Sequence, residues 1–260
     1  MGRVVAVANQ KGGVGKSTTA VNLSAAMALG GAHILLVDMD PQAHATSGIG
    51  VAKAAVGGSV YDVLINGLSM VSALMPTAVK GLDLVPGSIH LAGAEVELVS
   101  LPSREYRLRE SLRPVRDWYD LVLVDCPPSL GLLTINALVA SDDVLIPIQC
   151  EYYALEGLSQ LMDSVNLIRR KLNPALRIGG VLLTMFDART NLAEQVAAEI
   201  RRHFPAEVFQ TVIPRSVRLA EAPSFGQPVV TYDPSSKGAE AYMALAKEVG
   251  TRAGQPAVAE

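Results

Sequence analysis

At 260 residues, half of them hydrophobic and 18% charged, the chain is long enough to bury a large core and too apolar to be a disordered segment. A formal net charge of −3 does not mark the molecule as a whole as a nucleic-acid binder. Its two cysteines, Cys126 and Cys150, are too few for a disulfide framework or a metal cluster and read as small buried residues of a reducing compartment.

In chain order, a strand over residues 4–8 leads into a helix over 16–29 and a second strand over 34–37. Residues 51–81 form a less regular, loop-rich excursion with an amphipathic piece at 61–64. Strands then follow at 82–85, 121–124, 144–148, 180–184 and 208–213, with a candidate at 229–231. Helices are expected at 104–112, 132–140, 155–172, 192–204 and 237–249, and residues 251–260 read as a flexible tail. Alternating strands and helices predict an α/β fold: one doubly wound, mostly parallel sheet flanked by helices, in a single domain over residues 1–250. The near-continuous Val/Ile/Leu runs suit strands covered on both faces. A strand at the very N-terminus leaves no secretory signal, and the longest uncharged stretch, residues 17–37, is broken by polar residues and a Gly30-Gly31 pair. A soluble, cytoplasmic protein is expected.

Chemistry enters at residues 9–19, NQKGGVGKSTT, directly after the first strand. Strand, glycine-rich turn and helix start aim several backbone N–H groups at one point, where the helix dipole also favours an anion. Gly12, Gly13 and Gly15 let the backbone approach phosphate oxygens, Val14 and Thr18 complete the cradle, Lys16 reaches the terminal phosphates, and Ser17 offers its hydroxyl to Mg²⁺. The common pattern G-x-x-x-x-G-K-[ST] requires glycine where this chain has Gln10; what it carries is a second lysine, Lys11. A buried strand closing on Asp125 supplies a metal-holding acid, followed by the Pro127-Pro128 turn. Asp38 and Asp40 end the second strand, where ligands gather in doubly wound folds. Between Asn166 and Arg218 there are nine Lys/Arg against four Asp/Glu, with thirteen against twenty-one elsewhere, so a basic face on an acidic protein is possible.

The loop K-G-G-x-G-K-[ST] is the deviant Walker A form of the ParA/MinD/nitrogenase-iron-protein group. Further runs, LLVDMDPQAHATSG, DCPPSLGLLTINAL, CEYYALEGL, LLTMFDART, TVIPRSVRLAEAPSFGQP and YDPSSKGAEAY, resemble the short, Soj-type chromosome-partitioning ATPases of the ParA family over residues 3–249. The resemblance implies ATP and Mg²⁺ as ligands, with Lys11 crossing a dimer interface to the partner's nucleotide and Gly12 at that contact. Asp40 orients the attacking water, Asp38 sits near the metal, and Asp125 holds Mg²⁺ through a water. Met185, Pro214 and Arg215 surround the adenine. It further implies an ATP-dependent homodimer, bound to double-stranded DNA without sequence preference through Arg189 and Arg218. A ParB-type centromere-binding protein stimulates hydrolysis, and the protein is nucleoid-associated. The alternative is a MinD-like membrane ATPase of the division site, which would end in a basic amphipathic helix; residues 251–260 have one Arg, one Val and no large apolar side chain, so no membrane is expected. An electron-donating iron protein would need cluster-holding cysteines, which Cys126 and Cys150 do not resemble.

Overall fold

Strands joined by crossover helices pair in parallel, because the helix must carry the chain back along the sheet before the next strand begins. The computed structural model describes residues 2–52, 56–151 and 154–252. Within it, β1 (Arg3–Val7), β2 (Ile34–Asp38), β3 (Met75–Pro76), β4 (Leu82–Val85), β5 (Leu121–Asp125), β6 (Asp143–Gln149) and β7 (Arg177–Thr184) form one seven-stranded sheet in the order β3-β4-β2-β5-β1-β6-β7. Every pairing is parallel except that of the short edge strand β3 with β4. The helices are α1 (Lys16–Leu29), α2 (His44–Gly48), α3 (Val60–Leu64), α4 (Met70–Ala73), α5 (Leu91–Glu97), α6 (Arg107–Leu112), α7 (Leu132–Ala140), α8 (Ala154–Lys171), α9 (Asn191–His203), α10 (Val217–Glu221), α11 (Val229–Tyr232) and α12 (Lys237–Arg252).

Side chains alternate across each strand, so the continuous apolar runs feed two cores at once. Val5, Val7, Leu36 and Leu123 pack into one buried cluster, under α1 and α12, while Val4, Ala6, Leu35 and Val122 pack into the other. A buried hydrogen bond, Thr19 Oγ1 to Tyr242 Oη at 3.2 Å, pins α12 to α1. From β1 the chain builds outward on one side through β2 and β4, returns to β5, then steps over β1 to β6 and β7. That reversal opens a crevice beyond the carboxyl ends of β1, β2 and β5.

Four local expectations are corrected. Residues 208–213 are not a strand: Phe209 and Ile213 donate to Val181 and Leu183, but the N–H groups of Gln210 and Thr211 between them turn to the Glu248 carboxylate (2.8 and 2.9 Å), which lifts the run out of the ladder. Residues 229–231 form the helical turn α11, whose first amide, Val229 N–H, donates to Asn22 Oδ1 on α1 at 2.6 Å. The excursion at 51–81 contains α3, α4 and β3; α3 begins where Asp62 accepts the Ser59 N–H at 2.9 Å, a reciprocal cap. Thr251 and Arg252, expected in the tail, complete α12, and Arg252 lies over the Phe209 ring at 4.2 Å. Residues 253–260 of that tail, and Tyr152 and Tyr153 of the CEYYALEGL run, lie outside the described residues.

Candidate active site

The glycine loop joins β1 to α1 and is held from both flanks. Asn9 donates through Nδ2 to the Pro147 carbonyl (2.7 Å) and accepts the Lys11 N–H (3.0 Å), while Thr184, at the end of β7, donates to the Val14 carbonyl (2.9 Å). Gly13 (φ 75°) and Gly15 (φ 87°) occupy the left-handed region that a side chain resists. Gly15 caps α1 without any side-chain hydrogen bond, so the first-turn N–H groups, with Gly12, Ser17 and Thr18 along the wall, are left for a ligand in a crevice of about 420 Å³. Gly12 is different from its neighbours: its φ is not positive, and a Cβ there would meet nothing within 4 Å. Among the described residues nothing demands a glycine at that point.

Lys16 is buried, and its ammonium donates to the Lys11 carbonyl at 3.1 Å. Burial pushes its pKa below the ordinary lysine value, and Asp125, Cys126 and Asp40 pull it back. Asp125 ends β5 fully buried, beside the Ser17 hydroxyl, and neither carboxylate oxygen has a hydrogen bond of good geometry. Burial, followed by the neighbouring Asp38 charge, holds its carboxyl well above the usual range. Buried carboxylates are rarely left this way, and a cation is the usual remedy. Asp40 lines the crevice, and its Oδ1 accepts the Gln42 N–H at 2.9 Å. Among the described residues no three His, Cys, Asp or Glu side chains form a ready metal cage, so a metal here needs oxygen atoms from a ligand or water.

Asp38 lies fully buried at the end of β2, directly across from Asp125 in the β2–β5 register. Its Oδ2 accepts the Thr46 N–H and hydroxyl, both at 2.7 Å, its Oδ1 accepts the Asp40 N–H at 3.2 Å, and a Cβ on Gly87 would lie 2.9 Å from its carboxyl carbon. Enclosed in this way, with burial raising its pKa to about 6, Asp38 braces the Asp40 loop and stands beside Asp125, whose carboxyl feels its charge. Thr46 carries no sequence signal beyond its proximity to Asp40; its role shows only in the fold.

A second cavity of about 360 Å³ shares Gly15, Thr18 and Met185 with the crevice and continues past Pro214 and Arg215. The structure thus brings the expected base-contacting residues to one place beside the loop. Met185 stands between the two spaces in a left-handed conformation (φ 50°), an uncommon backbone for a side chain of this size.

Three cations lie outside these cavities, each already compensated. Lys11 Nζ pairs with Glu151 Oε2 at 2.9 Å, just beyond the end of β6, a partner that sequence spacing does not indicate. Arg189, whose side chain is 87% exposed, forms two bonds to Asp187 (2.8 and 2.7 Å), and these hold the Asp187 carboxyl down at about 2. Arg218 pairs with Glu221 (2.9 Å) and Asp233 (3.1 Å). The basic character counted from sequence is therefore partly cancelled where these two arginines stand. Both thiols are buried, and burial raises the Cys150 thiol to about 11 and the Cys126 thiol further. The native protein should consequently react with iodoacetamide at pH 8 about tenfold or more slowly than the unfolded chain; equal rates would contradict the placement of both.

A mostly parallel sheet that reverses at β1, with a lysine-bearing glycine loop on one strand and an unpaired acid at the end of its neighbour, defines a P-loop nucleoside triphosphatase. A family model described as "AAA domain" matches residues 2–178. The sporulation initiation inhibitor protein Soj of Bacillus subtilis is 58% identical over 249 residues, covering 96% of this chain and 98% of that protein. The chromosome partitioning protein ParA of Myxococcus xanthus is 53% identical over 252 residues, 97% of this chain and 89% of its own length. Among solved structures, a protein described as cobyrinic acid a,c-diamide synthase from Mycobacterium smegmatis, bound to an ATP analogue and magnesium, superposes with a TM-score of 0.85 at 36% identity, covering 99% of this chain and 98% of its own. The chain belongs to the Soj/ParA family of chromosome-partitioning ATPases.

Proposed function

We propose that the protein is an ATP-switched dimer that grips DNA without sequence preference and drives chromosome or plasmid segregation with a ParB-type partner. The observation that carries this reading is the convergence of Lys16, Ser17 and Asp40 on one crevice, with the buried Asp125 carboxylate beside Lys16 and the Ser17 hydroxyl. ATP lies with its phosphates on the Gly12–Thr18 turn and its base in the side cavity, against Met185 and Pro214 with Arg215 at the rim. Lys16 spans the terminal phosphates. Mg²⁺, held by the Ser17 hydroxyl and through water by Asp125, neutralises the phosphate charge. Asp40, braced by Asp38 and Thr46, orients the attacking water.

Lys11 leaves Glu151 and crosses to the nucleotide of a second copy. Gly12, which no contact among the described residues requires, is small because the facing protomer comes close there. Arg189 and Arg218 take DNA phosphates in exchange for their carboxylate partners, and the dimer doubles the number of contacts. Slow hydrolysis, accelerated by the ParB-type protein, ends the cycle. Among the described residues no helix is long and apolar enough to cross a membrane.

Co-sedimentation with DNA in ATP, ADP or no nucleotide, over a salt series, tests this. Binding is expected with ATP alone and should fall steeply with salt; absence of binding under every nucleotide would break the link to DNA. Because Asp187 competes with phosphate for Arg189, Asp187→Asn should raise ATP-dependent DNA affinity by about threefold or more at low salt. Unchanged affinity would remove Arg189 from the DNA contact.

A further inference from the structure

Helix α5 is apolar on two sides. Leu91, Ala94 and Leu98 point into the core and are fully buried, whereas Ile89, Val96 and Val99 are 64%, 76% and 56% exposed. Ala92 and Val96 on α5 and Val99 on the 3₁₀ turn Leu98–Ser100 follow one another at four- and three-residue spacing, and Ile89 precedes them in the turn before the helix. A surface helix normally buries one stripe and offers polar groups to water. Apolar side chains aligned outward in this way mark a contact surface.

Both ends of α5 are tied to the nucleotide site. Just before the helix, the Gly87 N–H donates to the Thr46 hydroxyl at 2.9 Å; that hydroxyl donates to Asp38, which in turn accepts the Asp40 N–H. Further along, the Glu95 carboxylate accepts the N–H groups of Leu132 (3.0 Å) and Leu133 (3.3 Å), the first turn of α7, a few residues after Asp125 and the Pro127-Pro128 turn. A Cβ on Gly131 would fall 2.2 Å from that carboxylate, so glycine is what permits the contact. A displacement of α5 therefore pulls on the Asp40 loop and on the segment after Asp125 together.

The surroundings of the stripe define the chemistry of its partner. Residues 86–103 contain no Lys or Arg. Glu97 is exposed on α5 and accepts the Tyr61 hydroxyl at 3.1 Å, and Asp62, which caps α3, lies in an open groove of about 470 Å³ that runs from Pro41 to Ile89 and His90. Each carboxylate keeps a charge that no nearby cation among the described residues cancels. At the far end Arg104 pairs with Glu105 at 2.9 Å and donates to the Val99 carbonyl at 2.8 Å, so the cation closest to the stripe is already engaged. We propose that this face of α5, with the adjoining groove, is where the ParB-type protein docks. Its occupant is an amphipathic helix that lays apolar residues along Ile89, Val96 and Val99 and places Lys or Arg against Asp62 and Glu97. The assignment rests on the reading that such a partner stimulates hydrolysis, and it supplies the route: docking tightens both connections to the crevice at once.

The test measures ATPase stimulation by the ParB-type protein of the same organism in the presence of DNA, using the full chain and the variants Val96→Lys, Glu97→Lys and, as a control at the exposed end of α1, Leu29→Lys. All three should keep basal ATPase and ATP-dependent DNA co-sedimentation within about twofold of the parent, because the altered side chains are exposed. Val96→Lys and Glu97→Lys should each need about tenfold more partner for half-maximal stimulation, and Leu29→Lys should respond as the parent does. Parent-like stimulation of the two α5 variants would overturn the docking surface and leave the partner in place. Lack of stimulation of the parent chain itself would overturn the partner reading and this surface with it.

Discussion

Lys16→Ala is expected to weaken ATP binding by about 30-fold to 5,000-fold. The range follows from removing one member of a buried charge pair, which costs about 2–5 kcal/mol. Lys16 suits this role because its ammonium is held in a buried position with one backbone acceptor, the Lys11 carbonyl, and with Asp125 and Asp40 as its charge partners. An incoming phosphate thus meets a cation that is already desolvated and positioned. Losing a single hydrogen bond to a loop carbonyl should leave the sheet intact, so circular dichroism and the melting transition serve as controls. Titration calorimetry with ATP reads the effect, and a dissociation constant within threefold of the parent would remove Lys16 from the phosphate site.

Asp40→Ala separates binding from turnover. A group that positions or activates the attacking water contributes about 10²–10⁴-fold, so kcat should fall by that factor while ATP affinity changes by a few-fold at most. The ATP-bound dimer should then accumulate, visible as a doubled mass in light scattering. Because Asp40 also accepts the Gln42 N–H, the alanine variant loosens the loop as well. Asp40→Asn keeps an acceptor oxygen and discards the charge. If asparagine loses the rate as alanine does, the carboxylate is catalytic; if asparagine retains it, Asp40 serves only to shape the loop.

The parallel sheet and the loop could be read from the chain because each rests on local chemistry. Buried strands are written as unbroken Val/Ile/Leu runs, and a phosphate loop as glycines and lysines at fixed spacing. The four central strands and helices α1 and α7 follow directly. Two of the errors, at 208–213 and 229–231, share a cause: a side chain distant in sequence captured a backbone group. Glu248 takes two amides from the run at 208–213, and Asn22 takes the first amide of α11, so residues of high strand propensity were diverted by tertiary partners. The same holds within the site. Lys16, Asp40 and Asp125 stand in recognisable motifs. The contacts that fix Asp38, through Thr46 and Gly87, and the pairing of Lys11 with Glu151 join positions that no spacing rule connects.

The Lys11–Glu151 pair has a further consequence for how the cycle responds to its medium. Both side chains are nearly half exposed, and such a pair is worth about 0–1 kcal/mol and is readily screened. In the proposed cycle, added salt would therefore loosen Lys11 from its own protomer, and it would also weaken both the attraction of Lys11 to a second copy's phosphates and the hold of Arg189 and Arg218 on DNA. The resting protomer thus keeps Lys11 on a weak internal partner that a more highly charged triphosphate could displace at little cost.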